Sequence, residues 1–299
     1  MDKEKYLKEI LKRQTLSPNG PELQVLQKHR AEVEELLRDH FSDSSPTIRY
    51  GGSKAKGTMI REAYDLDIIC YFPNDDSDAG GTLENIYNNV RDALETKYLV
   101  EPKSSALRIK DSDKQNLGVD FHIDVVPGRY TDDSKTDVFL YRSSGEKKRL
   151  KTNLDIHISH VKDSGLTDAI RLIKLWRIRN SLSIKHFALE LLVIKVLEKK
   201  KSASLPDQLE YFWNEISENI DDISIEDPAN PKGNDLSDLL SPSIRSELSS
   251  VSQRTLKTIE NSGWEGLFGP LPDEEEDKAA SLRVAAAAVV KPTKPWYFS

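Results

Sequence analysis

Apolar positions recur along this chain in two rhythms, one with the period of a helix and one with that of a strand. Residues 1 to about 41 follow the helical one. Leu23, Leu26, Val33, Leu37 and Phe41 return at roughly helical spacing with charges between them. Pro21 suits a helix start, where its missing N–H costs nothing. Residues 42–46 end the helical stretch, and Thr47-Ile48-Arg49-Tyr50 reads as a short strand. A small-residue turn (Gly51, Gly52, Ser53) and a basic polar segment follow. Asp65-Leu66-Asp67 then runs into the strand-like Ile68-Ile69-Cys70-Tyr71-Phe72. Residues 73–81, dense in Asp, Asn, Ser and Gly, predict a loop. Residues 83–98 predict a helix with Ile86, Val90 and Leu94 on one face. Residues 105–110 and 117–126 predict two strands around a polar turn, 111–116, and so a hairpin.

From residue 153 the helical rhythm takes over. It predicts helices over 153–161, 168–179, 186–199 and 209–220, from about 236, and over 243–260, with 228–235 (PANPKGND) as a loop. An acidic run at 273–277 reads as solvated surface. Residues 279–290 form an alanine-rich helix candidate, and the proline-bearing tail VKPTKPWYFS reads as extended. No internal repeat is visible. The pattern predicts an α+β protein: a mixed lobe over 1–150 with helices at its start, and a helical lobe over 151–299. No linker of disordered composition divides them, so the lobes should share an interface with a cleft between.

Composition narrows the picture. A chain of 299 residues can bury a sizeable core. The formal net charge of −7 argues against a protein coated in nucleic acid, while leaving a local basic groove open. The single cysteine, Cys70, sits inside a predicted strand and reads as a buried structural thiol. No signal-like apolar core and no run near the ~20 apolar residues of a membrane span is present, so a cytoplasmic protein is expected; a monomer without a membrane partner is the accompanying expectation. His157 and His160 lie three apart on one predicted helix, but no Cys or further His accompanies them as a zinc site would require.

The chemistry concentrates at residues 50–72. Side chains on a strand alternate faces, so Asp65 and Asp67 point one way while Leu66 and Ile68 point into a core. Two aligned carboxylates repel each other unless a cation sits between them. The turn at Gly52 and Ser53 can offer backbone N–H groups and a hydroxyl to phosphate. Phosphate cradle and metal carboxylates together are the equipment of phosphoryl transfer. A third acidic ligand is then expected, and Asp120, His122 and Asp124 share one face of the later strand. Asp124 is favoured, because Val125-Val126-Pro127 should end the strand where the cleft opens. Asp120 is the competitor, as a polar residue on a half-exposed strand. The choice leans in large part on the resemblance that follows.

Gly52-Ser53, Asp65-x-Asp67 and the later apolar-Asp-apolar-apolar-Pro together resemble the polymerase-β-like nucleotidyltransferases. In the helical half, Leu172-Ile173-Lys174-Leu175-Trp176 and Lys185-His186-Phe187-Ala188-Leu189-Glu190 look like the helix pair of oligoadenylate synthases and their bacterial relatives. Asp227-Pro228-Ala229-Asn230-Pro231 resembles that family's Asp-Pro-x-x-Pro loop. Trp264 with Leu267-Phe268-Gly269 resembles the C-terminal part of bacterial cyclic-oligonucleotide synthases (CD-NTases).

The resemblance spans about residues 51–269. It implies a polymerase-β-like sheet lobe packed on a helical lobe, with the active site between them. It implies a nucleotidyltransferase that joins ribonucleoside triphosphates into a cyclic di- or oligonucleotide second messenger in antiphage (CBASS) defence. Asp65, Asp67 and Asp124 would be catalytic and would hold two Mg2+ ions, with Mn2+ as an alternative. Gly52, Ser53, Lys174, His186 and Phe187 would bind nucleotide, with Lys174 and His186 at the donor triphosphate and Phe187 as a base platform. Relatives often carry Ser or Gln where this chain has His186. Asn153 and Asn180 are candidates for base choice. The C-terminus is a candidate site for a regulatory or conjugating partner, and a nucleic-acid activator is left open. Transfer to a protein, a small molecule or an RNA end, and a silent nucleotide or RNA sensor, are the alternatives.

Overall fold

The computed structural model describes residues 2–17, 20–110, 123–145 and 147–271. The turn of the expected hairpin, Asp120 and His122, and the acidic run, alanine-rich segment and tail beyond residue 271 lie outside the described residues.

The N-terminal helical stretch forms two helices, α1 (Lys3–Arg13) and α2 (Pro21–His40). Next come β1 (Thr47–Tyr50), the short α3 (Gly52–Lys56), β2 (Leu66–Phe72) and α4 (Leu83–Glu95). α4 is shorter than the pattern predicts, and Leu99–Pro102 forms a separate strand, β3. β4 (Leu107–Lys110), β5 (Ile123–Tyr130), β6 (Val138–Tyr141) and β7 (Arg149–Thr152) complete a seven-stranded sheet of order β1-β2-β5-β4-β3, with β6 on β5 and β7 on β6. β2 and β5 run parallel, and every other pair is antiparallel. β4 and β5 pair as the expected hairpin requires.

One expectation fails. β5 does not end at Pro127 but continues to Tyr130, so Asp124 lies near the start of its strand. The reason is local. β4 pairs with β5 only as far as Val125, and β6 pairs with it from Gly128. Pro127, which has no N–H to give, falls in the gap between those two partners.

Apolar alternation places the layers. Leu66, Ile68, Cys70 and Phe72 of β2, with Leu107, Ile123 and Val125, pack against Val33 and Leu37 of α2 and Ile86, Val90 and Leu94 of α4. The second core is helical: α5 (Leu154–Lys162), α6 (Thr167–Arg179), α7 (His186–Leu197), α8 (Leu205–Asn219) and α9 (Pro242–Phe268). Its centre holds Trp176, Phe212 and Trp213, all fully buried, with Trp264 tilted against Trp213. Trp176 Nε1 donates to Thr255 Oγ1 at 2.8 Å, which satisfies the indole inside the core. α1 also buries Tyr6, Leu7, Ile10 and Leu11 in this core, so the chain begins on the helical side before building the sheet. Among the described residues, no helix is long and apolar enough to cross a membrane.

Candidate active site

The site begins where β1 hands over to β2. Tyr50 pairs with Ile68, and the Gly51 N–H donates to the Asp67 carbonyl at 2.8 Å, extending the ladder by one bond. Gly52 then turns at φ +48°. A Cβ built there would lie 1.6 Å from Asp67 Oδ2, so only glycine lets the turn press against that carboxylate. Gly52→Ala is expected to lose about 1–3 kcal/mol and to displace Asp67; denaturant unfolding of the two proteins checks this. Ser53 follows on α3, and its carbonyl accepts from the Thr58 N–H at 3.0 Å.

Asp67 stands directly beside Asp124, because the two are register partners on the parallel strands β2 and β5. Asp65 precedes β2, with Leu66 and Ile68 buried on the opposite side as alternation predicts. Burial pushes the Asp67 carboxyl up to about 7, helped by the Asp124 and Asp65 charges, while Lys56 and Lys174 pull it down. Asp124 has a partner that sequence reasoning did not find. Arg108 of β4 donates Nε to Oδ1 at 2.7 Å and its terminal nitrogen to Oδ2 at 2.8 Å.

As the side chains stand, no three Asp, Glu, His or Cys groups among the described residues sit together as a ready metal cage. The donor set nonetheless fits a hard divalent cation. Asp67 and Asp124 are hard oxygen donors set side by side across β2 and β5, and a buried carboxylate crowded by others is one that added positive charge would relieve.

Behind the turn lies a buried charge cluster. Lys174 of α6 is 3% exposed. Its ammonium donates to Glu190 Oε1 at 2.9 Å and to the Thr58 hydroxyl and carbonyl at 3.1 and 3.2 Å. Lys56 donates to the other oxygen of Glu190 at 2.7 Å, and Thr58 Oγ1 donates to Oε1 at 2.6 Å. Burial would raise the Glu190 carboxyl, but Lys174 and Lys56 together hold it down at about 2. The structure therefore places Lys174 on an internal carboxylate, from where its charge is still felt by Asp67. The cluster ties the glycine turn to α6 and α7.

His186 and Phe187 open α7, one turn before Glu190. Burial, with the Lys174 and Arg177 charges, pushes His186 down to about 4, so its ring is neutral near pH 7. Arg177 lies 3.3 Å from His186 Nε2. An arginine can only donate, so Nε2 accepts and Nδ1 carries the ring hydrogen. Phe187 meets His157 edge-on at 5.1 Å and lies under the Lys56 ammonium at 5.3 Å.

The remaining candidates have structural partners. His157 bonds Thr152 Oγ1 at 3.0 Å and lies 3.3 Å from Asp227. Asp227 in turn fixes its loop by accepting from the Ala229 N–H and the Asn234 amide. Asn153 caps α5 and donates to Asp137, and Asn180 donates to the Trp176 carbonyl at the end of α6. Two hollows, of about 520 Å3 beside His160 and Lys195 and about 700 Å3 beside Tyr141 and Lys148, are lined by none of the predicted site residues.

Two residues missed in the sequence left signals there. Glu190 interrupts the apolar run of α7, and a carboxylate in such a run needs cations. Arg108 alternates with Leu107 and Ile109, so it shares the polar face of its strand.

No family model matches the chain. A cyclic AMP-AMP-AMP synthase of Escherichia coli (strain MS 115-1) is 25% identical over 238 residues, covering 68% of this chain and 72% of that protein. The solved structure of E. coli MS115-1 CdnC with ATP has a TM-score of 0.67 at 20% identity, covering 90% of this chain and 98% of that one. CdnC is also known in a complex with HORMA-deltaN. The Bradyrhizobium diazoefficiens CD-NTase CdnG in complex with GTP has a TM-score of 0.67 at 14% identity, covering 93% and 97%. The chain thus shares the fold of these solved proteins, CdnC and the CD-NTase CdnG, a mixed sheet with a helical core beside it.

Proposed function

We propose that the chain is a metal-dependent nucleotidyltransferase that joins ribonucleoside triphosphates into a cyclic di- or oligonucleotide, a second messenger of antiphage (CBASS) defence. The observation that carries this reading is the pairing of Asp67 with Asp124 across β2 and β5, with the Gly52 turn pressed onto Asp67. Such crowded carboxylates destabilise a fold, and a divalent metal that arrives on a phosphate-bearing substrate gives them a use. The likeness to a cyclic AMP-AMP-AMP synthase and to CD-NTases solved with ATP and GTP supports the nucleotide substrates.

Asp65, Asp67 and Asp124 would hold the divalent metal, Mg2+ or Mn2+. When bound, that metal supplies charge to neutralise the phosphates and to lower the pKa of an acceptor ribose hydroxyl. Gly52 and Ser53 form the wall of the turn against which the phosphates lie. Lys174 contributes through its charge, felt by Asp67, while it stays anchored on Glu190. His186, neutral, offers a hydrogen bond without adding charge. Phe187 stands beside it at the start of α7 as the base contact. The acceptor hydroxyl, aligned by this wall, attacks the α-phosphorus in line and pyrophosphate leaves. The HORMA complex of CdnC supports a regulatory protein as partner.

Incubation with all four labelled ribonucleoside triphosphates and Mg2+ or Mn2+ is expected to release pyrophosphate and to yield a phosphatase-resistant small product. Label appearing only on an added polypeptide or RNA end would reassign the acceptor. No turnover under any condition, with and without added RNA or a HORMA protein, would overturn the enzyme reading.

A further inference from the structure

Resting on the carboxylate site above, we propose that Arg108 is a positioning residue that stands in for a cation at Asp124 and makes metal binding depend on nucleotide. Glu101, Arg108, Asp124 and Asp67 are successive register partners across β3, β4, β5 and β2, so their side chains form one rung on one face. Glu101 turns its carboxylate to Lys103 and Lys110. Arg108 turns the other way and grips both oxygens of Asp124 with a guanidinium fork, at 2.7 and 2.8 Å.

That grip does two things. It fixes the plane of the Asp124 carboxylate, since a planar fork admits one orientation. It also occupies one lone pair on each oxygen and places a permanent positive charge at the edge of the site. The pair is only 23% and 18% exposed, so solvent screens this charge weakly. A bare divalent cation therefore meets a competitor already seated on one of its ligands. A triphosphate changes the balance, because its negative charge offsets the guanidinium, and the metal then enters as its nucleotide complex. The like-charge strain between Asp67 and Asp124 is partly relieved in the meantime by Arg108.

Calorimetric titration of Mn2+ alone into the full chain tests this, with and without a non-hydrolysable nucleoside triphosphate analogue. Without nucleotide, Arg108→Met is expected to bind Mn2+ about tenfold more tightly than the parent. With the analogue, the two proteins should agree within about twofold. Arg108→Gln, which keeps a hydrogen bond to Asp124 without the charge, carries the same expectation and covers the case in which Arg108→Met does not fold. In an Asp124→Asn background the effect of Arg108→Met should vanish. Mn2+ binding that requires Asp67 but is unchanged or weakened in folded Arg108 variants would overturn the proposal while leaving the carboxylate site standing. Mn2+ binding that is absent from the parent with nucleotide, or indifferent to Asp67→Asn, would overturn the site itself and the proposal with it.

Discussion

Replacing Asp67 with Asn is expected to abolish the proposed nucleotidyl transfer and, in the absence of metal, to raise the melting temperature. Both effects come from one feature, a carboxylate that burial, with the Asp124 and Asp65 charges beside it, holds at about 7 instead of its ordinary 3.8. The sign follows from linkage. The folded protein holds the Asp67 proton up to about pH 7, whereas the unfolded chain releases it near pH 4. Between those values the folded state binds more protons, so its stability falls as pH rises through the window. Above pH 7 the full cost is present, on the order of 2–4 kcal/mol. Asn carries no charge and removes that cost. Thermal melts in chelator at pH 5 and pH 8 should show the parent losing stability on going to pH 8. The variant should lack this group's share of the loss. A variant that melts below the parent at pH 8 would contradict the crowded-carboxylate description.

The second large effect is expected at Glu190, and its sign is opposite. Glu190→Gln removes the one carboxylate shared by two buried ammonium groups, leaving Lys56 and Lys174 to repel each other beside Thr58. Breaking a buried ion pair from one side costs about 3–5 kcal/mol, because a charge is left without compensation. Here two charges are left. The Glu190 carboxyl is held at about 2, below its ordinary 4.5. Its stabilisation is therefore fully present above about pH 4.5 and is lost as pH falls toward 2. Denaturant unfolding at pH 7 should show the loss. The variant's deficit should shrink as the pH approaches 2. Lys174→Met added to Glu190→Gln should cost less than the sum of the two single changes, because the partners belong to one network. Strict additivity would mean that the cluster is not coupled.

The sequence shows some of these features directly and hides others for physical reasons. Leu66 and Ile68 opposite Asp65 and Asp67 could be read from alternation alone, because a strand with one polar and one apolar face leaves no freedom of register. The adjacency of β2 and β5 does not follow from alternation, which sets faces and not neighbours; only the resemblance pointed to Asp124 beside Asp67. β6 and β7 were not anticipated: four-residue strands such as Val138–Tyr141 give too short an alternation to stand out. Lys56 lies in the basic polar segment after the turn, where nothing in the pattern marks it as buried, yet it is 7% exposed. Its partner Glu190 lies 134 residues away, and only closure of the two lobes brings them together. Lys174, for which the resemblance implies a triphosphate contact, instead meets Glu190 inside the protein. Arg108 lay on the right face of the right strand, but a lone arginine among alternating residues does not reveal which carboxylate it will grip.

Nucleotidyl transfer is expected at the rung joining Asp67 and Asp124, walled by the Gly52 turn. Its most direct test is mass spectrometry of the products formed from ribonucleoside triphosphates by the parent, Asp67→Asn and Asp124→Asn proteins, with pyrophosphate measured in the same reactions. The account predicts pyrophosphate and a cyclic oligonucleotide from the parent, and neither from the two variants, each still folded by its melting curve. Equal product from folded Asp67→Asn or Asp124→Asn protein would contradict it.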